Sequence, residues 1–159
     1  MTDILELLEK NSKLTTEQLS KILCMSEGNI ADAIRKYEND KAIVGYSAII
    51  NWEKVNKEKV LALIEVKVMP QRGEGFDKAA ERIFRYPEVN ACYLMSGGFD
   101  LAVIIEGYTM KEVALFVAEK LAPMEAVMST ATHFVLKKYK DKGMIFEEAR
   151  KDEREAIVL

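Results

Sequence analysis

Apolar residues recur along the chain with different spacings, and each spacing points to a kind of element. In the first forty residues the spacing is helical. Ile4, Leu5, Leu7 and Leu8 share one face of a short helix over residues 3–11, with Thr2 or Asp3 as its N-cap. Thr15-Thr16-Glu17-Gln18 has the form of a capping box, in which the Thr15 hydroxyl takes the N3 amide and Gln18 reaches back. Leu19, Ile22 and Leu23 then supply the buried face of a second helix. After the short turn Cys24-Met25, Ser26 is a good N-cap, and Ile30, Ala33, Ile34 and Tyr37 mark a third, longer helix to about Asn39.

The spacing then changes. Residues 43–50 are β-branched and aromatic and are expected to be extended, and the polar run 51–59 reads as a linker with Trp52 as its one large apolar anchor. Val60, Ala62, Ile64, Val66 and Val68 alternate with Leu61, Leu63, Glu65 and Lys67, which predicts a strand. A loop is expected over 70–75. Phe76, Ala79, Ala80, Ile83 and Phe84 mark a helix that must stop before Pro87. Two apolar runs between Val89 and Glu106, joined by Ser96-Gly97-Gly98-Phe99, ask for a hairpin. The second run is apolar at every position from Leu101 to Ile105, as in a central strand covered on both faces. Another capping box, Thr109-Met110-Lys111-Glu112, opens a helix carrying Val113, Phe116, Val117 and Leu121 and ended by Pro123. A last strand covers about 127–139, and the charge-dense end from Asp141 reads as a solvated helix or tail.

Three helices, the last two joined by a short turn, fit a helix-turn-helix. The order βαββαβ after the linker is ferredoxin-like, with both helices on one face of an antiparallel sheet. The expected class is therefore α+β, divided into a helix-turn-helix over 1–50, a linker over 51–59, a ferredoxin-like domain over 60–140 and a charged tail over 141–159. The sheet face opposite the helices carries apolar residues that need a cover, and the cheapest cover is the same face of a second copy.

Composition narrows the class of function. With 159 residues and 49% hydrophobic content the chain has enough for a real core. No window approaches the roughly 20 apolar residues of a membrane span, and the first ten residues carry acids where a signal peptide carries bases, so the reading is cytoplasmic. Cys24 and Cys92 lie far apart among apolar neighbours and read as small core hydrophobes; no Cys/His cluster is spaced to hold zinc. A net charge of −3 gives no global attraction to nucleic acid, which leaves local placement of bases and the pairing of two copies. No carboxylate pair, Ser/His/Asp set or phosphate loop stands out: Gly73-Glu74-Gly75 lacks the strand-to-helix context, and the single histidine, His133, lies in an apolar strand. Neither a catalytic residue nor a metal or cofactor is expected. The turn at Gly97 and Gly98 is different, because amides without side-chain cover can hold a small anion, with Asp100 beside them suited to a cation.

The chain resembles the Lrp/AsnC, or feast/famine, transcriptional regulators. The resemblance rests on Leu19-Ser20-Lys21-Ile22-Leu23-Cys24-Met25-Ser26 as second helix and turn, and on Ala42-Ile43-Val44-Gly45-Tyr46 as wing. It rests further on Ser96-Gly97-Gly98-Phe99-Asp100 as effector-loop signature and on the stretch from Ser129 to Lys137 as last strand. It implies a winged helix-turn-helix joined to a RAM-type sheet domain that dimerises and often assembles four dimers into an octameric ring. It also implies double-stranded DNA as one partner and a small amino-acid-like effector, bound between dimers, as the other. Carried over by position, the effector site is Met95, Ser96, Gly97, Gly98, Phe99 and Asp100 with Thr130 and Thr132 of the last strand. Base readout falls to Ser26, Asn29 and Lys36, with Lys13, Lys21, Arg35 and Lys41 as phosphate contacts.

Two departures stand out. Gly98 replaces a common aspartate of the family. The third helix pairs Arg35, Lys36 and Lys41 with the more numerous acids Glu27, Asp32, Glu38 and Asp40, where relatives usually carry several arginines. A ligand-sensing interaction protein that has lost DNA binding is the alternative these acids raise. A siroheme-decarboxylase-like enzyme shares the layout but uses histidines that this chain lacks.

Overall fold

The computed structural model describes residues 3–55, 57, 59–69 and 75–146. Residues 70–74 of the expected loop over 70–75, the alternative N-cap Thr2 and the end of the tail, 147–159, lie outside the described residues. Two compact units divide between Ile50 and Asn51.

The first unit holds α1 (Ile4–Lys10), α2 (Thr16–Leu23) and α3 (Glu27–Asn39). Their starts follow the capping chemistry. Asp3 caps α1, and the Thr15 hydroxyl accepts from the Gln18 amide at 3.2 Å while Gln18 Oε1 accepts from the Thr15 amide at 3.0 Å. Such a reciprocal cap satisfies two amide donors that the first helical turn cannot pair by itself. Ile4, Leu8, Leu19 and Ile30 are the buried centre, packed by Leu14, Leu23, Ala33, Ile34, Tyr37 and Ile43. Residues 44–50, expected to be extended, form no helix and pair with no strand among the described residues, and Val44 is 87% exposed.

The second unit begins with a 3₁₀ turn, Trp52–Val55, and continues as β1 (Val60–Val68), α4 (Asp77–Phe84), β2 (Val89–Leu94), β3 (Leu101–Gly107), α5 (Met110–Phe116) and β4 (Val127–Val135). The strands form one antiparallel sheet in the order β2-β3-β1-β4, so the continuous apolar run of β3 is central, as its composition requires. Register fixes the faces. Ala62, Ile64 and Val66 stand opposite Ile105, Val103 and Leu101 and, with Ala79 and Ile83 of α4 and Val113 and Phe116 of α5, form the core. A π-helical turn, Val117–Leu121, widens the end of α5; its bond from the Ala122 amide to the Val117 carbonyl is 2.8 Å, and Leu121 returns fully buried to the sheet. Cys92 packs against this core, and burial pushes its thiol up from the ordinary value.

The opposite sheet face has no helix over it. Leu61, Leu63 and Ile104 lie there half-buried, beside Tyr93 and Val135, which are 57% and 39% exposed. The Glu65–His133 pair, 3.2 Å, lies on the same face.

The segment after β4 differs from the sequence expectation. β4 stops at Val135 rather than near Tyr139, and residues 140–146, the described start of the expected solvated helix or tail, form a small hairpin, β5 (Lys140–Asp141) against β6 (Met144–Ile145). Its turn residues, Lys142 and Gly143, both have positive φ, 44° and 81°, as a two-residue hairpin turn demands. The Phe146 amide closes it onto the Tyr139 carbonyl at 3.0 Å, and Asn51 Nδ2 donates to the Phe146 carbonyl at 3.3 Å.

Candidate nucleic-acid interface and effector loop

The α2–α3 pair is held by Leu19 and Ile30, both fully buried, and by a turn in which Cys24 takes a left-handed conformation, φ 53°. Ser26 Oγ then accepts from the Asn29 amide at 3.2 Å and starts α3. Burying Ile30 leaves Gly28, Asn29, Asp32, Arg35 and Lys36 on the exposed side of α3. That is the surface a helix-turn-helix presents to the major groove.

The expected DNA-contacting residues all lie in this unit and all except Ser26 and Asn29 are basic. Two of the bases are engaged within the chain. Lys21 Nζ meets Glu17 Oε1 at 2.6 Å, and Arg35 Nη1 meets Asp32 Oδ1 at 3.2 Å. These helical i,i+4 and i,i+3 pairs are highly exposed, so each contributes little and can open towards phosphate. Lys13, Lys36 and Lys41 are exposed; Lys41 follows α3 with φ 58°. Tyr46, in the segment after α3, donates its hydroxyl to Glu38 Oε1 at 3.0 Å, a contact the sequence pattern did not single out.

In the second unit the loop after β2 carries the other expected site. Met95, Ser96, Gly97 and Gly98 are exposed, and Phe99 and Asp100 are half-buried. The loop is pinned at both ends: the Met95 amide donates to the Asp100 carbonyl at 2.8 Å, and the Asp100 amide to the Val66 carbonyl at 3.1 Å. Asp100 is also a structural residue, since its Oδ2 accepts from the Val68 amide at 2.8 Å beside an irregularity in the β1–β4 register. One oxygen of that carboxylate is therefore already used. Gly97 has φ 149°, a conformation other residues rarely adopt, whereas a side chain at Gly98 would meet nothing within 4 Å.

Within one chain the expected effector residues do not close a pocket. Thr130 and Thr132 stand opposite Val66 and Ile64, on the helix-covered face of β4. With β1 between β3 and β4, Thr130 is roughly 10 Å from the loop, two strand spacings. Thr132 lies a further pair along the sheet. The topology instead gathers side chains that spacing alone could not assign: Met69 after β1 and Met128 in β4, 58% and 63% exposed, share the sheet end that carries Met95. Beside Met69 a cleft lined by Gly75, Lys78, Ala79, Arg82 and Ala126 has about 20 Å³ of room, enough for little more than a water. Among the described residues no cluster of His, Cys, Asp and Glu could hold a metal ion, and no helix is long and apolar enough to cross a membrane.

Comparison with known proteins decides the family. Residues 61–145 match the family described as the Lrp/AsnC ligand binding domain. The chain belongs to the Lrp/AsnC family. This Lrp/AsnC chain is 48% identical to the HTH-type transcriptional regulator YugG of Bacillus subtilis over 154 residues, which is 96% of this chain and 93% of that one. It is 25% identical to the leucine-responsive regulatory protein of Haemophilus influenzae over 142 residues, covering 89% of this chain and 85% of that one. Among solved structures, its fold is similar to that of transcriptional regulator NMB0573 of Neisseria meningitidis, crystallised as a complex with L-Met, with TM-score 0.70, 24% identity, and coverage of 89% of this chain and 94% of that one. The Lrp/AsnC chain is thus an HTH-type transcriptional regulator with a ligand-binding sheet domain.

Proposed function

We propose that this regulator binds double-stranded DNA in the cytoplasm through α3, acts as a homodimer joined across the open sheet face, and answers to a small amino-acid-like effector at residues 95–100. The observation that carries the effector reading is the exposed loop. Its two ends are hydrogen-bonded to each other and, through Asp100, to Val66 of β1, but among the described residues no hydrogen bond occupies the amides of Ser96, Gly97 or Gly98. Such amides suit a carboxylate, and the Asp100 oxygen that Val68 leaves over suits an ammonium. Exposed Met95, Met69 and Met128 offer an apolar wall at the same sheet end. A single loop is too shallow to enclose a ligand, so a second dimer closes the site, and binding is linked to assembly, up to an octamer. That NMB0573 was crystallised with L-Met agrees with this class of ligand.

Thermal-shift screening of the common amino acids and their 2-oxo acids tests the reading. One or more amino acids should raise the melting temperature, and Gly98→Asp, which meets no steric obstacle, should strengthen the response by adding an acceptor for the amine. Gly97→Val should abolish it, both by covering the amides and by straining a backbone of φ 149°. A wild-type protein indifferent to every amino acid would leave the hairpin as a hairpin only.

A further inference from the structure

The exposed row of α3 poses a chemical question. In a helix-turn-helix the N-terminal part of the second helix faces the base edges. Here that part displays Gly28, Asn29 and Asp32, and the first long bases, Arg35 and Lys36, come a turn later. A carboxylate in this place is repelled by phosphate, so it weakens binding to every sequence unless a base recognises it.

The geometry of Asp32 suits such recognition. Its side chain is 75% exposed and its Oδ1 is held by Arg35 Nη1 at 3.2 Å, while Oδ2 has no hydrogen-bond partner among the described residues. Arg35 supplies a nearby countercharge through one exposed contact, and leaves the second carboxylate oxygen available as an acceptor. In the major groove, guanine presents N7 and O6 and thymine presents O4, all acceptors that repel a carboxylate. Adenine presents an amine beside the acceptor N7, whereas cytosine presents only its 4-amino donor. Cytosine is therefore the base that a carboxylate favours.

The neighbour completes the pattern. Asn29 is one turn before Asp32, about 4.5 Å along the helix axis, close to a single base step of about 3.4 Å. An asparagine matches adenine through N6 and N7. At Gly28 an added Cβ would meet nothing within 4 Å, so the start of the helix offers no bulk to hold the groove away.

Resting on the DNA-binding reading of α3, we propose that Asp32 is a specificity-determining residue, whose carboxylate accepts a hydrogen bond from the 4-amino group of a cytosine adjacent to an adenine read by Asn29. The half-site is thus selected by amine-bearing bases, and the acids of α3 trade general affinity for discrimination.

Selection from randomised duplexes with the full chain, followed by gel-shift titration, tests this for wild type, Asp32→Ala and Asp32→Asn. Wild type should enrich a cytosine next to an adenine in each half-site, and replacing that cytosine should weaken binding about tenfold. Asp32→Ala should bind all four variants of that position within about twofold of one another, and bind non-specific duplex more tightly than wild type. Asp32→Asn should move the preference at that position to adenine. Equal melting temperatures would confirm that the exposed substitutions leave the fold intact. An Asp32→Ala protein that keeps the wild-type base preference, gaining affinity evenly, overturns the proposal while leaving DNA binding standing. A wild type that retains no duplex at low salt overturns the DNA-binding reading, and the proposal with it.

Discussion

Lys120 shows how one residue ties several others. Its ammonium meets the Glu88 carboxylate and lies 5.2 Å and 5.5 Å from the ring centres of Tyr86 and Phe116, which themselves pack edge to face at 5.6 Å. The hydrogen bond from Lys120 is the main reason that the Glu88 carboxyl is held below its ordinary value of 4.5. A carboxyl depressed in the folded state adds stability above its unfolded value and loses that contribution as pH falls through the folded one. Denaturation midpoints followed from neutral pH into acid should therefore show wild type losing more stability than Glu88→Gln. At neutral pH the substitution should cost no more than about 1 kcal/mol, because both side chains are over a third exposed. The two glycines of the effector loop differ at this same scale. Gly97 is required by its φ, and Gly98 is a vacancy that a side chain could fill.

At the scale of elements, what the sequence disclosed depended on how local the cause was. The caps at Thr15, Ser26 and Thr109 are local chemistry, and each helix starts where its capping residue predicts. The central position of β3 was legible because five successive apolar residues need two covered faces. The hairpin of Lys140–Asp141 and Met144–Ile145 was not, because its turn is Lys142-Gly143 without the usual Asn or Asp before glycine, and the dense charge around it resembles a solvated helix. The loop of the expected effector site was legible, because its glycines are contiguous. Thr130 and Thr132 depend on strand register, and no spacing along the chain reveals that Met69 and Met128 share the loop's end of the sheet. For α3 the expected outcome is that Asn29→Ala with Lys36→Ala abolishes specific retardation in gel shift, while Asp32→Arg tightens binding to any duplex. Affinity should fall steeply as salt rises, since phosphate neutralisation supplies much of it. If both variants were indistinguishable from wild type, attention would turn away from α3 and towards a ligand-sensing protein that has left DNA.

At the scale of the whole molecule, the open sheet face is the feature from which the solution assembly can be tested. Helices α4 and α5 bury one face of β1 and β3, and the other presents Leu61, Leu63 and Ile104 with Tyr93 and Val135 at its margins. Leu63 stands opposite both Ile104 and His133, at the middle of that face. A contiguous apolar surface of this kind is rarely left to water, and the same face of a second copy matches it by symmetry. The Glu65 and His133 side chains lie on this face with Oε1 and Nε2 3.2 Å apart. A fragment beginning near Lys57 carries its own core, so by sedimentation velocity at micromolar concentration it should be a dimer, as the full chain should. Leu63→Asp faces outwards in a single chain and leaves the core untouched, yet in a dimer it buries an unpaired charge. It should convert both proteins to monomers with their secondary structure intact. If the unaltered fragment sediments as a folded monomer, or if Leu63→Asp remains a dimer, the two copies do not meet across this face, and the cover for Leu61, Leu63 and Ile104 must come from elsewhere.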